Sequence, residues 1–277
     1  MSAIAATFRE LKQRSEGGLI AYVMAGDPTP KHTLKIVDAL VAGGADIVEL
    51  GMPFSDPIAD GPTLQRAAGR ALEAGTTPTK VFDLARAITR ANEVPVVVMT
   101  YYNIVHQMGV EAFCCAAEQS GVNGIIAPDL PIEEALPYRV AAMRHGIDTI
   151  FLAAPSTSAA RLEKLLTASS GFLYLVSTNG ITGARKLLQD ASIVSIQRTA
   201  SIIRGRVPLA VGFGLSLPSH VRQVIDNGAS AAIVGSRFAQ IVEQNLDDEH
   251  KMLKGLRECA HTLKGSTLQA YAQTGEA

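Results

Sequence analysis

Position 49 places a glutamate inside an apolar run, ADIVEL at 45–50, that otherwise suits a buried β-strand. Side chains alternate along a strand, so Glu49 points the same way as Ile47. A buried glutamate is rare unless it is paired or functional. An apolar setting disfavours its charged form and raises its pKa, which suits a group that gives and takes protons near neutral pH. The alternative is a structural carboxylate bonded to backbone groups at the strand end. The stretch that follows, GMPFSDPIADGP at 51–62, is a proline-broken loop carrying Ser55, Asp56 and Asp60. Asp60 offers a second acid/base carboxylate; as a loop aspartate before Gly61-Pro62 and a helix, it is equally suited to capping that helix.

A second group of residues suits phosphate. Gly212-Phe213-Gly214 and Gly235-Ser236 each follow a strand candidate, at consecutive strand ends. Glycines let backbone N–H groups approach phosphate oxygens, and a helix N-terminus adds partial positive charge. Ser236 stands where a helix starts, so its hydroxyl can donate as well; the alternative is two tight turns with Ser236 as a cap.

The elements that position these groups recur in one pattern: a short apolar run, a glycine or polar turn, then a helical stretch. Strand candidates lie at 19–24, 45–50, 94–99, 124–127, 149–152, 172–176, 208–211 and 231–234. Most are continuous apolar runs, the mark of parallel strands covered on both faces. Helical stretches include 31–42, 133–145, 158–167, 219–227 and 237–244. Eight such units predict a (β/α)8 barrel as a single domain over 1–265, preceded by an extra amphipathic helix in the first 18 residues and followed by a polar tail, 266–277, that is expected to fray. An open doubly wound sheet is the alternative, but no GxGxxG follows the first strand. In a barrel the chemistry belongs at the C-terminal ends of the strands, where AGDP (25–28), Glu49 and its loop, TYYN (100–103), PDLP (128–131), STNGITGAR (177–185), GFG and GS all fall.

Composition narrows the function. A chain of 277 residues, 47% hydrophobic, can bury a full core, and a net charge of -1 without a basic patch argues against nucleic acid and anionic membrane as partners. No apolar stretch reaches the ~18 residues of a membrane helix. Cys114, Cys115 and Cys259 make no metal or redox spacing and read as free thiols in a reducing compartment, so a cytoplasmic location is expected. The six histidines are scattered without metal-ligand spacing, most in predicted helices where a surface role is expected. Lysines such as Lys80, Lys164 and Lys186 fall in helices or loops, which disfavours a Schiff-base aldolase. The residues alone describe a barrel enzyme acting on a phosphorylated metabolite with two acid/base carboxylates.

The run ELGMPFSDPIADGP at 49–62 closely resembles the signature of the tryptophan synthase alpha subunit family, and AGDP, PDLP, YLVSTNGITGAR (174–185), GFG and VGS (234–236) match it in the same order over nearly the whole chain. The resemblance implies a (β/α)8 barrel that cleaves indole-3-glycerol phosphate to indole and glyceraldehyde 3-phosphate without a cofactor or metal. It implies Glu49 and Asp60 as catalytic carboxylates, and Tyr22, Met99, Tyr101, Ile126, Leu152, Tyr174, Thr182, Gly183 and Phe213 at the substrate. Gly183, Gly214, Gly235 and Ser236 fall at the phosphate, and Thr182 and Gly183 lie in a loop, 177–185, that closes over the substrate. Where many bacterial members have an arginine early in that loop, Thr178-Asn179 stand here. The implied partner is a pyridoxal phosphate-bearing beta subunit in an alpha2beta2 heterotetramer, with Met52, Phe54 and Ile58 of the loop after Glu49 as contact candidates. A free-standing indole-releasing lyase and a silent, beta-activating subunit are the alternatives.

Overall fold

The apolar runs become parallel strands because both of their faces are covered. In the computed structural model, which describes residues 1–177, 188–212 and 214–268, they are β1 (Gly18–Met24), β2 (Ile47–Gly51), β3 (Val96–Met99), β4 (Gly124–Ile126), β5 (Asp148–Ile150), β6 (Leu152–Ala153), β7 (Leu173–Val176), β8 (Leu209–Gly212) and β9 (Ala231–Val234). Every residue of β1, β2, β3, β4, β5, β8 and β9 is buried. The helices are α1 (Ala3–Gln13), α2 (Pro30–Ala42), α3 (Pro62–Glu73), α4 (Pro78–Ala91), α5 (Tyr102–Met108), α6 (Val110–Gln119), α7 (Leu136–Arg144), α8 (Ala159–Ala168), α9 (Asp190–Ile203), α10 (Pro218–Asp226), α11 (Ser236–Glu243) and α12 (Glu249–Gly265). Local chemistry starts several of them. Proline occupies the first turn of α2, α3, α4 and α10, where its missing N–H has no partner to lose. Thr77, Ser158 and Asp248 cap α4, α8 and α12 through their side-chain oxygens. Glu133 and Glu134, expected within a helix over 133–145, precede α7, which starts only at Leu136 with a proline in its first turn.

All pairings are parallel, in the order β5-β4-β3-β2-β1-β9-β8-β7-β6, and form the expected barrel. One strand differs from expectation. The run at 149–152 becomes two pieces, β5 pairing only with β4 and β6 only with β7. Tilted barrel strands shift register around the ring, so this strand serves its two neighbours in succession. Phe151 joins the pieces and its carbonyl accepts from Tyr174 N–H at 3.0 Å.

Strand alternation divides the apolar side chains into two cores. Leu19, Ala21, Val48, Leu50, Val96 and Val98 face outward into the layer beneath the helices. Ile20, Tyr22, Ile47, Val97, Met99, Ile126, Ile150 and Tyr174 face the barrel interior. The extra N-terminal helix plugs this interior: Ile4, Phe8 and Leu11 of α1 join it, with Phe8 edge-on to Phe172 at 6.0 Å. Two expectations for the surface fail. His220 of α10 is buried, and Ser216 N–H donates to its ring at 3.4 Å. Ser266 and Thr267 do not fray: both are buried, and the Thr267 carbonyl accepts from Gly17 N–H at 3.3 Å. Thr182, Gly183 and Phe213, the loop 178–185 with Thr178-Asn179, and the tail from 269 lie outside the described residues.

Candidate active site

Glu49 is in β2 with its side chain in the barrel interior, in register with Tyr22 on one side and Val97 on the other. It is 1% exposed, and neither carboxylate oxygen has a hydrogen-bond partner among the described residues. The structural alternative, a carboxylate satisfied by backbone donors, is therefore not what the fold provides. Buried polar groups without partners are rare and call for an explanation. Burial, and then the charge of Asp60, push the Glu49 carboxyl up to about 8. Its protonated form predominates at neutral pH.

Asp60 is held by the shape of its loop. Met52 N–H donates to the Met99 carbonyl at 2.8 Å, which ties the loop to β3 as it leaves β2, and Asp60 N–H donates to Pro57 at 3.2 Å. Tyr101, expected as a pocket wall, is the post on which the loop rests. Its ring stacks on Phe54 at 5.1 Å, and its hydroxyl accepts from Ala59 N–H at 2.9 Å and donates to Asp60 Oδ2 at 3.4 Å. Asp60 does not cap α3. The cap position is Gly61, with no side-chain hydrogen bond. Burial raises the Asp60 carboxyl to about 6, against the pull of the Tyr101 hydroxyl. Two neighbouring carboxylates thus have separated pKa values, the arrangement that lets one act as an acid while the other stays ionised.

Both line a cavity of ≈ 520 Å³ at the C-terminal mouth of the barrel. Of the residues singled out in the sequence, Tyr22, Met99, Tyr174, Gly214, Gly235 and Ser236 also reach it, as does Ile58, a contact candidate of the loop. Ile126 and Leu152 lie in the interior core without lining the cavity, and Tyr101 acts through its hydroxyl. Leu64, Val176 and Ile233, not singled out in the sequence, also line the cavity. Val176 and Ile233 carried a usable signal, because they share strand parity with Tyr174 and Gly235. Lysine is absent among the described residues that line the cavity. A larger groove of ≈ 1070 Å³ between α10, α11 and α12 lies outside the barrel mouth, with Glu258 its one carboxylate among the described lining residues.

On the same cavity, α11 begins at Ser236 with Gly235 as its cap residue and no side-chain cap bond. Ser236 is therefore not the cap, and its hydroxyl is not committed to the helix end. Gly214 has φ +79°, a left-handed turn that favours glycine for itself. Gly235 is glycine for a different reason: a Cβ there would stand 3.0 Å from Tyr22 Cβ and Cδ1. Tyr22 runs from Gly235 to Gly51, where any Cβ would collide with its hydroxyl. One ring thus joins the glycine end of the cavity to the strand that carries Glu49. Burial, then the two carboxylates, hold the phenols of Tyr22 and Tyr174 well above their usual range, so both remain protonated.

The sequence profile of the tryptophan synthase alpha chain family matches residues 8–268. The chain belongs to the tryptophan synthase alpha chain family. It is 46% identical over 263 residues to the alpha chain of Methanosarcina acetivorans, across 95% of this chain and 94% of that one. With the alpha chain of Klebsiella pneumoniae it shares 40% identity over 264 residues, 95% of this chain and 97% of the relative. Among solved structures, tryptophan synthase of Mycobacterium tuberculosis superposes with a TM-score of 0.86 at 34% identity, covering 96% of this chain and 98% of that one. The alpha subunit of Legionella pneumophila superposes at 0.85 and 31% identity, covering 96% and 98%. The family resemblance read from 49–62 and the barrel read from the strand pattern are both borne out.

Proposed function

We propose that Glu49 and Asp60 carry out the cleavage of indole-3-glycerol phosphate to indole and glyceraldehyde 3-phosphate, as the lyase step of an alpha subunit in tryptophan biosynthesis. The observation that carries this reading is Glu49 itself, a buried carboxyl with both oxygens unpartnered among the described residues, facing a second carboxyl that is held near 6 while Glu49 is held near 8. Glu49 enters the reaction protonated and gives its proton to C3 of the indole ring. Asp60 enters ionised and stabilises the positive charge that appears on the ring nitrogen. The Glu49 carboxylate then takes the proton of the adjacent side-chain hydroxyl. That oxygen forms the aldehyde carbonyl as its carbon separates from C3, and the bonding pair returns to the ring to neutralise the nitrogen. One proton leaves Glu49 and one returns, so the enzyme ends as it began.

The apolar walls of Met99, Leu64, Val176 and Ile233 suit the indole, and Gly214, Gly235 and Ser236 at the start of α11 suit the phosphate. The chemistry asks for no metal or organic cofactor. The partner is a beta subunit bearing pyridoxal phosphate, in an alpha2beta2 assembly. Of the contact candidates in the loop, Ile58 is 84% exposed and free to meet it. Phe54 is half-buried on Tyr101, and Met52 is buried under Thr100 and is not a contact group. No helix among the described residues is long and apolar enough to cross a membrane, and a cytoplasmic location is part of the proposal.

Indole release from indole-3-glycerol phosphate by the isolated chain tests the reading, because a silent subunit releases none. Adding beta subunit at fixed substrate tests the partner. A site whose loop is set by the partner accelerates by the usual ~5- to 150-fold of a coupled site, whereas a free-standing lyase is fast and unresponsive.

A further inference from the structure

The starts of two helices line the cavity. α3 starts at Pro62, two residues after Asp60, and its first turn lines the cavity with Pro62, Thr63 and Leu64. α11 starts at Ser236, beside Gly235. The two helices pack against each other, and the buried residues of α3 are all alanines. Ala67, Ala68 and Ala71 of α3 belong to the same core cluster as Ala239 of α11. With no large buried side chain to set between the ridges of α11, α3 is weakly opposed to sliding along it.

A ladder of ion pairs supplies the missing register. Arg66 and Arg70 lie one turn apart on α3. Arg66 grips Glu243, the last residue of α11, with two hydrogen bonds of 2.6 and 2.9 Å. Arg70 reaches the same carboxylate at 3.2 Å and holds Asp27, after β1, at 2.7 and 2.9 Å. The Asp27 side chain is 4% exposed and that of Arg70 19%. Burial raises the Asp27 carboxyl despite its arginine, so desolvation offsets much of the attraction. Pairs of this kind are weak evidence for stability. Their planar, two-bonded geometry is strong as a constraint on position.

We infer that the Asp27–Arg70–Glu243–Arg66 ladder is a positioning device that ties the phosphate end of the cavity to the setting of Asp60. The inference rests on the proposed function, since it takes the start of α11 as the phosphate end and Asp60 as the indole partner. A phosphate ester drawn against Gly235 and Ser236 holds α11; Glu243 passes that position to Arg66 and Arg70; α3 then fixes where Asp60 stands. Arg66, Arg70 and Glu243 touch no reacting atom. They act through Asp60 and Gly235.

The test is the coupling between two probe ligands, glycerol phosphate for one end and indole for the other, measured by calorimetry on the full chain. In the wild-type protein, saturating glycerol phosphate should tighten indole binding by at least ~5-fold, the lower range of ordinary site-to-site coupling. In Glu243→Gln and Arg66→Lys that factor should fall to within about twofold of unity, while each ligand alone binds much as before. Arg66 is half-exposed, so its lysine variant folds even if the glutamine variant does not. Glu163→Gln breaks an exposed, doubly bonded pair with Arg206 away from the cavity and should keep the wild-type coupling. Coupling that survives in both ladder variants, or is absent from the wild type although both ligands bind, overturns the inference and leaves the proposed reaction standing. A wild-type protein that binds neither ligand overturns both.

Discussion

Replacing Glu49 by glutamine should make the ligand-free protein more resistant to alkaline unfolding. The glutamine amide is nearly the same size and does not titrate. Below the unfolded carboxyl's pKa of 4.5, Glu49 is protonated in both the folded and unfolded chain, and pH does not separate them. As pH rises past 4.5 the unfolded chain ionises while the fold keeps Glu49 neutral, so the wild type loses stability relative to the variant. Above about 8 the group is charged in both states and the gap stops growing. At ~1.4 kcal/mol per pH unit, the full gap is on the order of 5 kcal/mol, of which about 4 should open between about pH 5 and about pH 9. Glu49 is 1% exposed, so solvent screens little of this. Urea unfolding of both proteins across that range reads it directly. The two midpoints should diverge as pH rises, with the wild type falling. Parallel curves would mean that Glu49 titrates as an ordinary carboxyl and would remove the physical basis for its role as a proton carrier.

The same separation predicts a bell-shaped kcat/KM for indole release, with its acid limb near the Asp60 value of about 6 and its alkaline limb near the Glu49 value of about 8; a profile flat across both would contradict the assignment. Tyr101→Phe removes the hydroxyl that donates to Asp60 and accepts from Ala59. It should move the acid limb upward and lower turnover by roughly 10-fold, about the worth of one hydrogen bond to a charged group, as read from pH–rate profiles of the two proteins. Gly235→Val places a side chain against Tyr22 and the phosphate end and should weaken glycerol phosphate binding by at least ~10-fold in calorimetry, since one lost charge-assisted hydrogen bond is of that order; unchanged affinity in a folded variant would clear Gly235 of the role.

The barrel was legible because parallel strands buried on both faces leave continuous apolar runs, and a carboxylate within one of them, Glu49, stands out against valine, isoleucine and leucine. Asp60 was legible as a candidate, but its setting was not. What holds it is Tyr101, some forty residues away in sequence, and neither a stacked ring nor a hydroxyl bridge leaves a periodic trace. The split of the fifth strand was hidden for a related reason: the run at 149–152 looks uniform, and only its two different neighbours divide it. Met52 reads as a contact candidate yet is buried, because it sits between Gly51 and Pro53 in a loop, where position along the chain says nothing about depth. The ladder from Asp27 to Arg66 had no sequence signature either. Its charges are separated by 43 and 173 or more positions, and although Asp27 falls in the AGDP motif, Arg66, Arg70 and Glu243 each read as ordinary surface residues.

In the proposed reaction Glu49 both gives and recovers the proton of the cleavage. Single-turnover indole release from indole-3-glycerol phosphate by Glu49→Gln, under conditions where the variant is shown to be folded and to bind indole, tests it most directly. A loss of at least ~10²-fold against the wild type is expected, the usual scale for removing a general acid/base. A folded, indole-binding variant that turns over at close to the wild-type rate would contradict it.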